Sequence, residues 1–544
     1  MDLELASRLG SIVLYQIYPQ SFADSDGDGI GDLEGIRQRL DYLAWLGVDA
    51  LWLNPCFVSP FEDAGYDVAD FLTIAPRYGT NDDLERLCTQ AAERGIAVLL
   101  DLVAGHTSDQ HPWFLAASLP DSEPAVRQRY IWSRTTLDGW HAPGGAPDAG
   151  WYLPNFFPVQ PALNYGYARP HPDEPWRQSV DDPGPRANRA ALREIMAHWF
   201  DHGVSGFRVD MAASLVKDDP GLVETGRLWR DLRQWIDTEY PGRILVAEWG
   251  DPAVSVPAGF HVDFLLQFGG TTNGLAYRSL LNNNAGTVDE SWQQEACWAD
   301  ASGSGDAAGF VEGWQRAAMA IAAADPQGRY ARTGVVGLPT ANHDFTRLVA
   351  GPRDPEQAAV PMVMILTWPA LPSLYYGDEI GMRYVPGLRE FEGSRLGPRY
   401  DRAGSRTPMQ WGGLSAEYGP GAPAESRYLP PDADPAAPTV AASIADSESY
   451  LHVVRRLIAL RRSDRRLAAG APVRVLATGY PLAYTRGDDE SLLVVLNPSD
   501  RPVAHRLSTP GEPRVLLGRD LQLAGGEIRL GAFGYAVLDL AEKA

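Results

Sequence analysis

Short runs of apolar and β-branched residues recur along the chain, with stretches of apolar positions spaced three or four apart between them. The runs are VLYQIYPQSF (13–22), ALWLNP (50–55), IAVLLDLV (96–103), GFRVDM (206–211), ILVAEW (244–249), DFLLQF (263–268), a stretch ending in PTANHD (339–344), and MILTWPALPSLYYGDE (364–379). Near-continuous apolar runs are the mark of strands buried on both faces. Residues 33–47 (LEGIRQRLDYLAWLG) and 81–95 (NDDLERLCTQAAERG) show helical spacing and end in glycine, the second opening on an Asn cap. Strands and amphipathic helices alternating in this way predict a parallel sheet, and eight units over this length predict a (β/α)8 barrel.

The spacing breaks in one place. About a hundred residues separate the third and fourth runs. The stretch 105–170 is rich in Pro, Gly, Trp and Tyr. A structureless loop of that size is uncommon, so it reads as a small inserted domain on the C-terminal face of the barrel. The barrel then comprises residues 1–104 and 171–468, with YLHVVRRLIALRR (450–462) as its last helix. From 469 to 544 the pattern turns to alternating apolar and polar positions between Gly- and Asp-rich turns, which predicts an antiparallel β-sandwich. A Pro/Ala-rich loop lies near 419–438, and the chain shows no internal repeat.

Composition removes several function classes. The 544 residues include 70 Asp plus Glu against 47 Lys plus Arg, a net charge of −23. Such a chain is unsuited to nucleic-acid backbones or anionic membranes. Cys56, Cys88 and Cys297 form no disulfide framework and have no metal-ligand spacing. The first twenty residues lack a basic and then apolar leader, and no stretch reaches the roughly 18 apolar residues of a membrane span. A cytoplasmic protein acting on a small molecule is the expectation. Oligomeric state is not legible.

In a barrel of this kind, chemistry gathers where the strands end. The third run ends in Asp101 and then His106, the fourth in Arg208 and Asp210, the fifth in Glu248, and the seventh in His343 and Asp344. Each alone reads as a structural ion pair or turn cap. Together at one mouth they suit glycoside hydrolysis or transfer. One carboxylate attacks the anomeric carbon and one carboxylic acid protonates the leaving oxygen, about 5–5.5 Å apart in retaining enzymes. Arg208, two residues before Asp210, shares its side of the strand and would keep it ionised. Glu248 needs to stay protonated before attack, helped by an apolar neighbour such as Trp249 or by a nearby like charge.

These four clusters resemble the signature regions of glycoside hydrolase family 13, the α-amylase superfamily, and the similarity runs from about residue 13 to the C-terminus. The resemblance implies a retaining α-glucoside mechanism with Asp210 as nucleophile, Glu248 as general acid/base and Asp344 as transition-state stabiliser. It gives Arg208, His106 and His343 supporting roles, with the histidines donating to sugar hydroxyls, and matches Asp101 to the family's first Asp. EDAGYDVADF (62–71), SRTPMQW (405–411) and QPALN (160–164, with Ala162 in place of Asp) resemble the oligo-1,6-glucosidase, α-glucosidase and trehalose synthase branch. There Tyr66 would stack under glucose, Asp63 would bind its far hydroxyls, and Arg406 would pair with Asp63 to close the pocket. DSDGDGIGD (24–32) resembles that branch's Ca2+ or Mg2+ loop, with Asp24, Asp26, Asp28, Asp32 and the Ile30 carbonyl as ligands. No organic cofactor is implied. Gly105 stands where calcium-binding amylases carry Asn, which speaks against a second, amylase-type calcium site. The reading is an exo-acting α-glucosidase on short oligosaccharides. A glucosyl transferase or isomerase of trehalose synthase type and an endo-acting amylase or neopullulanase are the alternatives.

Overall fold

The eight runs close into a parallel barrel in a computed structural model that describes residues 5–266, 272–282, 296–324, 335–388, 392, 402–412, 428–507 and 513–540. The strands are β1 (Leu14–Ile17), β2 (Ala50–Leu53), β3 (Ala97–Val103), β4 (Gly206–Asp210), β5 (Ile244–Ala247), β6 (Val262–Phe264), β7 (Val335–Pro339) and β8 (Leu371–Tyr375). Each pairs with its sequence neighbours, and β8 closes on β1. Inside, Leu14, Trp52, Leu99, Val246, Phe264 and Leu371 form a packed layer, and Leu5 and Leu9 of the N-terminal turn join it. The outer faces of the strands pack on the helices through a second, larger core. Two-sided burial is why these strands read as unbroken apolar runs.

Several boundaries differ from the sequence reading for local reasons. The first run leaves the barrel at Ile17, because Pro19 opens the helical turn Pro19–Phe22. The stretch 33–47 forms two helices, α1 (Leu33–Gln38) and α2 (Leu40–Leu46), separated at Arg39. Helix α3 (Asn81–Glu93) is capped by Thr80, not Asn81: Thr80 and Asp83 form a reciprocal capping box, while the Asn81 side chain binds the N–H of Ile74. The eighth run divides into the end of α7 (Pro355–Thr367), a helix buried on all sides, and β8. A helix without a polar face shows no amphipathic period, so it merges with the strand that follows. Positions 267–268 of the sixth run and 413–427, which include much of the Pro/Ala-rich loop, lie outside the described residues.

Between β3 and helix α4 (Pro183–Asp201) the chain builds a small unit around the paired strands Trp132–Ser133 and Trp151–Tyr152. Phe114 stacks on Trp132 at 5.5 Å and meets Tyr130 and Tyr152 edge-on. The unit returns to the barrel mouth at Leu163, whose N–H donates to the Gly105 carbonyl (3.0 Å). After α8 (Tyr450–Ser463), six antiparallel strands run from Val473 to Asp539. They are hydrogen-bonded as one continuous sheet around a core of Leu493, Val495, Ile528, Leu530 and Leu538. This sheet docks on α7, where Arg486 donates to the Thr367 carbonyl and the Tyr484 and Thr367 hydroxyls lie 2.6 Å apart. No helix among the described residues is long and apolar enough to cross a membrane.

Candidate active site

Strand register assembles the mouth. Asp101 lies opposite Arg208, Val103 opposite Asp210, and Val209 opposite Ala247, so Asp210 and Glu248 leave adjacent strands side by side. Arg208 is the hub. Its Nη1 donates to Asp101 Oδ1 (2.9 Å) and Asp210 Oδ1 (3.0 Å), and its Nη2 forms an ion pair with Glu248 Oε1 (2.7 Å). The guanidinium also lies over the Trp52 ring, 5.0 Å from its centroid. Glu248 Oε2 takes the Met211 N–H (2.9 Å), which the left-handed backbone of Met211 (φ 42°, ψ 44°) turns toward it.

Two buried carboxyls and a partly buried one around one guanidinium leave excess negative charge in a low dielectric. Burial, then the charge of Glu248, raise Asp210 well above the ordinary carboxylate range, with Arg208 pulling the other way. Asp210 also hydrogen-bonds Glu248. Arg208 therefore does not by itself keep Asp210 ionised, as the sequence suggested: burial and the charge of Glu248 outweigh it. Burial likewise lifts Asp101 to about 6 against the pull of Arg208.

The other wall centres on His343. Gln16 Nε2 donates to its Nδ1 (3.0 Å), and its Nε2 faces the Tyr66 hydroxyl (2.8 Å) and Asp344 Oδ2 (3.3 Å). Tyr66 in turn donates to Asp101 Oδ2 (3.0 Å), so the network assigns the Nε2–H tautomer. Burial holds His343 neutral, well below its ordinary value. Burial also takes His106 down to about 3, and it spans the Tyr66 carbonyl (3.1 Å) and Asn155 Nδ2 (3.2 Å). Both ring nitrogens of each histidine are thus engaged by protein groups, so they brace neighbouring side chains instead of offering free hydroxyl donors. The Tyr66 ring stacks on His343, with centroids 5.4 Å apart at 11°.

Asp63 and Asp344 are joined by a residue the sequence did not single out. Arg402 donates to Asp344 Oδ1 (2.7 Å) and Asp63 Oδ1 (3.2 Å), while Gln160 reaches Asp63 Oδ2 (2.9 Å). Arg406 is not the partner of Asp63. It donates to the His343 carbonyl (2.7 Å) and Asp344 Oδ1 (3.2 Å). Burial would raise Asp344, yet His343, Arg402 and Arg406 hold it well below the usual carboxylate range.

Arg402 sits in a loop with no strand or motif of its own. Gln16 and Asn54 were also missed. They carry the same signal as the strand-end carboxylates, a polar side chain in or ending an apolar run, but they are not ionisable. Asn54 donates to the Tyr66 hydroxyl (3.0 Å).

At Gly105, an added Cβ would stand 2.8 Å from Asn155 Nδ2 and 3.0 Å from Ser214 Oγ, so a side chain there would displace these two polar groups. Behind it the buried Lys217 ammonium donates to Asn155 Oδ1 (2.9 Å) and the Ser214 carbonyl (2.6 Å). In the loop 24–32, carboxylate oxygens of Asp24, Asp26 and Asp28 lie within 4.8 Å of one another, a donor set that fits a hard cation. Asp32 does not join this group. Its oxygens accept from Gly35 N–H (2.6 Å), where it caps α1, and from Ser25 (2.8 and 2.9 Å). The Ile30 N–H donates to Asp28 Oδ1 (2.7 Å).

Known proteins are similar to this chain over most of its length. The trehalose synthase/amylase TreS of Mycobacterium tuberculosis is 30% identical over 528 residues, covering 89% of this chain and 81% of that protein. The trehalose-6-phosphate hydrolase of Escherichia coli is 31% identical over 531 residues (89% and 90%), and a probable alpha-glucosidase of Rhizobium meliloti is 28% identical over 578 residues (97% and 96%). An isomaltulose synthase variant from Erwinia rhapontici in complex with D-glucose shares the fold, with a TM-score of 0.78 at 23% identity over 98% of this chain and 99% of that one. The model of the alpha-amylase catalytic domain matches residues 16–253 and 313–470, and the chain belongs to this family of glycosidic-bond enzymes, glycoside hydrolase family 13.

Proposed function

We propose that the chain is a retaining α-glucosidase that removes glucosyl units from the non-reducing ends of short oligosaccharides. The observation that carries this reading is the Arg402 bridge between Asp63 and Asp344 beside the Asp210–Glu248 pair. It places fixed charge and hydroxyl-binding groups on one side of the reacting pair, which suits a closed pocket for a single terminal sugar.

In this reading a bound glucosyl unit parts the two carboxyls. Glu248 carries the proton, and Asp210, ionised beside Arg208 once the sugar has entered, attacks the anomeric carbon while Glu248 protonates the departing oxygen. Glu248 then deprotonates the incoming water, and the product leaves as the α-anomer. Asp344, kept ionised by its two arginines, sits where positive charge develops on the sugar. Asp24, Asp26 and Asp28 would hold a structural Ca2+ or Mg2+ away from the chemistry.

The trehalose synthase among the relatives supports a second reading, in which a sugar instead of water accepts the glucosyl group. Product chromatography after incubation with maltose separates the two: free glucose supports hydrolysis, trehalose supports transfer. Release of α-glucose from p-nitrophenyl α-glucoside, reduced at least roughly 10³-fold in Asp210→Asn, is expected. Absence of turnover on every α-glucoside tried rejects the proposal.

A further inference from the structure

Strand β6 adds no side chain to the reacting cluster, yet it carries a fully buried carboxylate, Asp263 (0% exposed). Its Oδ1 accepts the N–H groups of Trp249 (3.1 Å), Gly250 (3.2 Å) and its own neighbour Phe264 (2.9 Å). Its Oδ2 accepts the Asp251 N–H (2.9 Å) and the Ser255 hydroxyl (2.7 Å). The Ser255 hydroxyl is shared with the Asp251 carbonyl (3.0 Å). The four backbone N–H groups can only donate and favour the ionised carboxylate, against the burial that raises it to about 7. Three of them are successive backbone N–H groups, and these are the three residues that follow Glu248.

That turn is of a special kind. Gly250 lies at φ +74°, with nothing within 4 Å of an added Cβ, so its glycine is required by conformation and not by space. The left-handed residue directs consecutive N–H groups to one point, an arrangement that suits an anion. Here the anion is a side chain from the adjacent strand. On the other side of Glu248, its N–H donates to the Val209 carbonyl (3.0 Å) and its carbonyl accepts from Ala212 (3.1 Å). The residue is thus fixed to β4 on one side and, through Asp263, to β6 on the other.

We propose that Asp263 is a positioning residue for the general acid/base: by gathering the N–H groups of residues 249–251 it sets the direction in which the Glu248 carboxyl projects toward Asp210. This rests on the reading of Glu248 given above. A misdirected Glu248 would protonate the leaving oxygen poorly, while attack by Asp210 would be spared. The signature is therefore selective by leaving group, which a general loosening of the fold does not produce.

The test compares kcat/KM for 2,4-dinitrophenyl α-glucoside, whose leaving group needs no proton, with kcat/KM for phenyl α-glucoside and maltose. In Asp263→Asn the first is expected within about threefold of the unaltered chain and the other two lower by about thirtyfold, a partial loss of the roughly 10²–10⁴-fold that general acid–base catalysis supplies. Ser255→Ala, which removes one hydroxyl and keeps the Asp263 carboxylate with its backbone donors, and Gly250→Ala, which disturbs the turn from its other side, are expected to show the same pattern in milder form. They decide the matter if Asp263→Asn does not fold. A uniform fall on all three substrates, or no change, overturns the proposal. Glu248→Gln is measured alongside. If it is selective and the Asp263, Ser255 and Gly250 variants are not, only the positioning role fails. If it too is uniform, or if the unaltered chain turns over no α-glucoside, the underlying assignment of Glu248 fails and this inference with it.

Discussion

Arg208 and Arg402 perform different electrostatic work at the two ends of the site. Arg208 faces Asp101, Asp210 and Glu248 together, so removing its charge leaves two buried carboxyls and a partly buried one without this counter-ion. Breaking such a contact costs about 3–5 kcal/mol. Arg208→Met is expected to lose nearly all activity and to unfold at lower temperature in a calorimetric scan. Arg208→Lys, a point charge without the planar fork, is expected to recover part of the stability but little of the activity. Arg402 instead holds a carboxylate that must stay charged. The native value of Asp344 is depressed, so its contribution is present above the range near 3.9 where a free aspartate titrates and is lost only as pH falls through the lower folded value. Arg402→Ala is expected to raise that value by roughly one pH unit, read from the titration of the Asp344 carboxyl carbon by NMR, with a higher KM from the loss of the Asp63 contact. An unchanged titration would show that Arg406 and His343 alone suffice. Arg402 also marks where sequence reasoning stops at this scale: in a loop, nothing local reveals that a side chain bridges residues 339 and 58 positions away.

At the scale of elements, the strands were legible because a barrel strand is apolar on both faces, and the strand-end carboxylates stand out against that background. The helices were legible only where they have a wet face. Helix α7 has none, and its Met362–Leu366 run merges with β8. The insertion was legible as an interruption, and its aromatic composition is explained by the Phe114, Tyr130, Trp132 and Tyr152 cluster. Its attachment was not, because that depends on Lys217 meeting Asn155 across 62 positions. Burial lowers the Lys217 ammonium from its ordinary 10.5 to about 8. Between those values the unfolded chain binds a proton that the folded chain does not, so stability from this group rises with pH across the window. Relative to Lys217→Met, the unaltered chain is expected to gain about 2 kcal/mol between pH 7 and 9.5, read as the change in their Tm difference. A constant difference would mean that the amine is neutral, or freely solvated, throughout.

At the scale of the whole molecule, the charge of −23 acts in two ways that salt can separate. Diffuse repulsion between surface acids is screened as the Debye length falls from about 30 Å at 0.01 M to about 10 Å at 0.1 M salt. Repulsion among Asp24, Asp26 and Asp28, whose oxygens lie within 4.8 Å, is too short-ranged to be screened in this way. Burial, together with the charges of Asp26 and Asp24, already raises Asp28, opposed by its Ile30 hydrogen bond. The loop also ties distant parts of the chain: the Tyr428 N–H donates to the Gly29 carbonyl (3.0 Å), and the Tyr428 hydroxyl meets that of Tyr18 (2.9 Å) on the exit of β1. A cation there would steady the junction between the first strand and the segment after the eighth. At a free concentration a hundred times its Kd it would add about 2.7 kcal/mol. Chelation is therefore expected to lower the Tm, and the loss is expected to persist at 0.1 M salt. Asp26→Asn, at an exposed position, relieves one of the three charges. It is expected to raise the Tm of the chelated protein above that of the unaltered chain and to abolish the gain on adding Ca2+ or Mg2+. If chelation has no effect, or its effect vanishes with salt, the three aspartates form a solvated acidic turn and the junction is held by its direct hydrogen bonds, those of Tyr428 and that of Trp411 Nε1 to the Phe22 carbonyl (2.7 Å) among them.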